Sequence, residues 1–149
     1  MDCGNVFAKL RSVTIVSTVL LVATIGHAGQ IDSHKDHASK SARAEGAALY
    51  KRHCAVCHGD DAKGGSAPRS AIFTERAPNL TILAQRHDGT FPADYVTNVL
   101  HCGVKMTGHG SAEMPVWGSI FKASAMGDDV QVNRRIAALT AYLKSLQAK

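Results

Sequence analysis

Cys54-Ala55-Val56-Cys57-His58 constrains what this chain can fold into more than any other stretch. Two thiols are separated by two residues, and an imidazole follows the second directly. A bare C-x-x-C pair serves as half of a zinc site or as a dithiol redox pair. The zinc reading needs a second C-x-x-C or a paired-histidine motif at suitable spacing, and none follows. The dithiol reading needs a strand–helix–strand context, and no strand-rich pattern is present. His58 and Gly59 favour a third reading, because C-x-x-C-H is an attachment site for a c-type haem. Two thiols at the end of a helical turn reach the two vinyl groups of one porphyrin and form thioethers. The histidine is then held beneath the iron as its proximal ligand.

The N-terminal stretch fits that chemistry. Lys9 and Arg11 precede an apolar run from Val13 to Ile25, broken only by Thr14, Ser17, Thr18 and Thr24. Gly26-His27-Ala28 offers small residues where a signal peptidase reads. Residues 1–28 therefore read as a secretory signal peptide, cleaved after Ala28, and the protein as periplasmic. An uncleaved leader would leave it membrane-anchored, although the run falls short of the roughly 20 residues a span needs. Cys3 lies before the run, which is the wrong order for a lipoprotein anchor. Covalent haem attachment in bacteria occurs outside the cytoplasmic membrane, so leader and motif support each other.

Residues 29–41 are polar and without apolar periodicity, and read as a flexible lead-in in which His34 and His37 are solvated. One domain follows over residues 42–149. Ser41 predicts an N-cap for a helix from Ala42 to His53, with Ala47, Leu49 and Tyr50 on its apolar face. Gly64, Gly65 and Pro68 mark an irregular loop. A short helix is expected from Thr81 to His87, stopped by Gly89, and another from Ala93 to Cys102, started by Pro92 and stopped by Gly103. Residues 103–127 read as loop. Asp128 or Asp129 caps a last helix whose stripe is Val132, Ile136, Leu139, Leu143 and Leu146. With aromatics at 5% of the chain, this skeleton is thin, and a central porphyrin would add a large apolar surface on which the fold depends. Cys102 reads as a buried, inert thiol, since leader removal and thioether formation take the other cysteines; the alternative is a surface thiol that forms an intermolecular disulfide.

Charge excludes one class of partner. The excess of basic over acidic side chains is five, falls to four once residues 1–28 are removed, and is cut further by two haem propionates. No basic stripe with interleaved aromatics is present, so nucleic acid is not a partner. Lys51, Lys63, Lys105 and Lys122 are candidates for a docking rim toward an acidic redox partner.

Met114-Pro115-Val116-Trp117-Gly118 is the second informative stretch. A methionine thioether is a soft ligand that stabilises Fe(II) and raises the reduction potential. Pro115 restricts Met114 to extended backbone, which helps aim its side chain. Met114 is the expected sixth ligand, with Met106 and His109 as competitors from the preceding loop.

With these motifs the chain resembles a class I monohaem cytochrome c of the bacterial type, from about Glu45 to Leu146. The likeness rests on Gly46-Ala47-Ala48-Leu49-Tyr50 before the C-x-x-C-H-Gly motif, on Pro78-Asn79-Leu80, on Met114 to Gly118, and on Tyr142-Leu143. It implies an all-α fold, a small cytochrome c-like domain over residues 42–149 with N- and C-terminal helices packed around one covalent haem c. It also implies that Gly46 permits a close crossing near Tyr142, and that the Pro78 carbonyl accepts a hydrogen bond from His58 Nδ1. Leu80 and Trp117 would wall the haem pocket. The segment between His58 and Pro78 is long, so partner contacts are not carried over there.

The function expected is electron transfer between Fe(II) and Fe(III) under His58/Met114 ligation, not enzymatic catalysis. The donor would be a dehydrogenase or quinol-oxidising complex, and the acceptor an oxidase or reductase. The alternatives are an open-site haem protein, peroxidase-like or gas-sensing, and a dedicated cytochrome subunit of a periplasmic dehydrogenase.

Overall fold

The computed structural model describes residues 30–64, 77–103 and 114–148. The leader, Lys105, Met106 and His109 lie outside the described residues.

Helix α1 spans Gln30–His53. It begins well before Ala42, which corrects the expected boundary. Once residues 42–53 are nucleated by packing, adding a further turn fixes one residue per hydrogen bond and costs little. Residues 36–41 are exposed along that extension. A single turn, α2 (Ala55–His58), follows Cys54 directly. The stretch expected to be helical from Thr81 onward is instead a run of turns closing in a 3-10 turn at Gln85–His87. Asp88 and Gly89 both adopt positive φ there, and Gly89 N donates back to Ala84 O at 2.9 Å, which stops any continuation. Helix α3 (Ala93–Cys102) ends where Gly103 N donates to Val99 O at 2.8 Å. Helix α4 (Trp117–Ser124) lies in the stretch read as loop. Gly118 had counted there as a loop residue, but it is a packing residue. A Cβ on it would collide with the His101 carbonyl oxygen, so α3 and α4 meet backbone to backbone. Helix α5 (Asp129–Ser145) starts at an Asp128 cap whose carboxylate accepts from Val130 N at 2.9 Å and Gln131 N at 3.2 Å.

Among the described residues every regular element is helical, as expected of an all-α fold. Helix α5 packs chiefly on α1 and also touches α3 and α4. The stripe Val132, Ile136, Leu139 and Leu143 is buried against these neighbours. The crossing depends on Gly46. A Cβ there would run into the Ala138 carbonyl and come within 2.7 Å of the Tyr142 Cβ. Tyr50, one turn later, is fully buried and stacks at a tilt on Tyr142 with centroids 5.4 Å apart. Tyr50, Phe121, Ile136 and Leu139 are the largest fully enclosed side chains. The ion pairs Lys122–Asp129 at 3.0 Å and Arg134–Glu45 at 3.3 Å lie at the surface and contribute little.

Cys102 is half-buried and disulfide-bonded, which corrects the expectation of an inert thiol.

Candidate functional site

The C-terminal end of α1 delivers both thiols. Cys54 N completes the helix by donating to Tyr50 O at 2.8 Å, and the Cys54 carbonyl then accepts from Cys57 N at 3.1 Å and His58 N at 2.9 Å. Two helical hydrogen bonds thus set the spacing of Cys54, Cys57 and His58 before any cofactor is considered. Both cysteines are free; Cys54 is buried and Cys57 is half-buried. Burial, followed by the neighbouring Cys57, pushes the Cys54 thiol up to about 12. It is therefore protonated at neutral pH.

His58 is 8% exposed. Its Nδ1 lies 3.1 Å from the Pro78 carbonyl oxygen. A carbonyl can only accept, so Nδ1 carries the proton and Nε2 presents a lone pair. Burial lowers the imidazole's proton affinity and outweighs the opposing effect of the Pro78 bond. The ring is thus neutral, in the tautomer a metal ligand needs. The chain after it is strapped back on itself. Gly64 N donates to His58 O at 2.8 Å, Leu80 N to Ala62 O at 2.8 Å, and the Tyr50 hydroxyl to Gly59 O at 2.7 Å. The Pro78 segment turns at Asn79, whose Oδ1 accepts from both Thr81 N and Thr81 Oγ1 at 2.8 Å.

Cys54 and Trp117 belong to one buried cluster, and Leu80 and Met114 pack against it half-buried. Cys54, Cys57, His58 and Pro78 are joined by bonded geometry, while Trp117 lies in, and Leu80 and Met114 lie against, the apolar core to which Cys54 belongs. Two neighbours have no counterpart in the sequence reading. His53 stands 5.2 Å from the Trp117 ring and 5.7 Å from Phe121, while the Arg135 guanidinium lies 5.7 Å over Phe121. Burial, then Arg52 and Arg135, lower the His53 proton affinity. Neither contact has a sequence signal, because residues 53, 117, 121 and 135 meet only through tertiary packing. Of the candidate rim lysines, Lys51 and Lys63 are exposed and Lys122 is engaged by Asp129.

The family described as cytochrome C oxidase, cbb3-type, subunit III matches residues 41–143, over two thirds of the chain. The chain belongs to this family of c-type cytochromes. No curated protein and no solved structure matches it. As a monohaem c-type cytochrome it carries covalently bound haem c with its iron. The donor set fits that group: two free thiols one turn apart and a neutral imidazole with Nε2 available for iron. No helix of the cytochrome, among the described residues, is long and apolar enough to cross a membrane.

Proposed function

We propose that this cytochrome is an exported, periplasmic electron carrier with His58 and Met114 as axial ligands and Cys54 and Cys57 as the thioether anchors. Haem-based electron transfer follows from the family; the residue roles rest on the site. The observation that carries the reading is the buried, neutral His58, held by Pro78 and flanked by two free thiols.

Bound haem supplies a one-electron Fe(III)/Fe(II) couple. Cys54 and Cys57 would hold the porphyrin covalently. His58 would offer Nε2 to the iron, and its Nδ1–H bond to Pro78 holds the ring. Met114 would add a soft thioether, which favours the reduced state. Leu80 and Trp117 would shield the group from water. Lys51 and Lys63 face solvent and are available to dock acidic partners, a dehydrogenase or quinol-oxidising complex on one side and an oxidase or reductase on the other.

Replacing Met114 by Ala in periplasmically produced protein tests the ligation. The thioether-to-iron charge-transfer band should vanish and the reduction potential should fall, with the intact mass still one haem above the polypeptide. An unchanged spectrum would remove Met114 from the role. Rapid carbon monoxide binding by the reduced wild type at neutral pH would favour an open-site protein instead.

A further inference from the structure

Gln147 lies beyond the end of α5 and past the 41–143 stretch that the family matches. Its side-chain amide is used at both ends. Oε1 accepts from Ala84 N at 2.9 Å, while Nε2 donates to Leu80 O at 2.9 Å and to Leu143 O at 2.7 Å. The next residue adds a main-chain strap, Ala148 N to Thr81 O at 2.8 Å. Together these bonds tie residues 80–84 to the C-terminal end of α5. Leu80 is then gripped on both polar groups, its N–H by Ala62 O and its carbonyl by Gln147. Pro78, two residues earlier, is the acceptor for His58 Nδ1. No other side chain reproduces the clamp. Asn is one methylene short, Glu has no donor, and Lys has no acceptor.

We infer that Gln147 is a positioning residue for His58, holding the Pro78 carbonyl in place through Leu80–Ala84 and thereby setting the reduction potential. This rests on the proposed axial role of His58. A strong Nδ1–H bond to a carbonyl makes the imidazole a better donor and favours Fe(III), so weakening it raises the potential.

The test compares the wild-type holoprotein with Gln147→Ala and Gln147→Glu. The readouts are haem content, hydrogen exchange at the Leu80 and Ala84 amides, exchange of the His58 Nδ1 proton, and the potential. Haem content should not change. In Gln147→Ala the His58 Nδ1 proton should exchange about five- to tenfold faster, the worth of one hydrogen bond, with the potential shifted upward. Gln147→Glu keeps the Ala84 acceptor and loses both donor bonds, so it should shift the same way; it carries the test alone if the alanine variant does not fold. Faster exchange at Leu80 and Ala84, with the His58 proton and the potential at wild-type values, would reduce Gln147 to a latch and overturn the inference. A wild-type His58 ring without the hyperfine shift of an iron ligand would overturn the ligation reading itself.

Discussion

The crossing of α1 and α5 and the strapped loop around His58 are built on opposite principles. At the crossing, Gly46, Ala138 and Tyr142 bring backbone against side chain with no room for a methyl, and the energy is that of buried apolar surface. Around His58 the work falls to directed polar bonds, from His58 to Pro78, Leu80 to Ala62, Tyr50 to Gly59 and Gln147 to three groups. Each is worth only about 1 kcal/mol net, yet each fixes an angle that apolar packing leaves free. The first region keeps the chain folded, and the second aims one imidazole. Tyr50 serves both, with its ring in the crossing and its hydroxyl on the loop.

Breaking the crossing should have the largest effect. Gly46→Val forces the two longest helices apart, and a loss of more than about 4 kcal/mol, or failure to accumulate, is expected in thermal melts. A variant melting within a few degrees of wild type would mean that the crossing has slack. Tyr50→Phe separates the two regions. The ring stays, while the Gly59 carbonyl loses the hydroxyl and keeps Ala62 N at 3.1 Å, so a loss of about 1 kcal/mol is expected, with faster amide exchange confined to the His58 loop. Equal exchange changes in α5 would show the two regions to be one cooperative unit.

The smallest effect is a pH dependence at the join. The proton affinity of native His53 is lowered below the ordinary imidazole value of 6.5. Above that value both native and unfolded states hold it neutral, and its contribution to stability is constant. As the pH falls through 6.5 the unfolded chain takes up a proton that the native state refuses, so stability declines until the native pKa is reached. Melting temperatures between about pH 7.5 and 5 should fall in wild type and fall less in His53→Gln. Parallel curves would remove His53 from the pH response.

Periodicity made one side of the crossing legible, because the stripe from Val132 to Leu143 has spacings that only a packed helix explains, while Gly46 came through resemblance. The C-x-x-C-H spacing and the Pro78 carbonyl were equally readable, the latter through resemblance. Helix α4 was not, because Gly118 carries the same letter whether it breaks a helix or lets two helices touch. The early start of α1 was hidden because an exposed helical extension leaves no apolar pattern. His53 and Gln147 were illegible for a different reason. Their partners come from distant parts of the chain, and a lone imidazole or amide announces nothing until folding supplies its neighbours.

Gly118 carries a cost for anyone who would redesign this scaffold. A saturation library at that codon should return a single letter, since even alanine would push the carbonyl of His101 aside. Trp117 is its immediate neighbour, so the indole's orientation is hostage to an atom that is not there, and engineers seeking to repack that buried side chain must do so without touching residue 118.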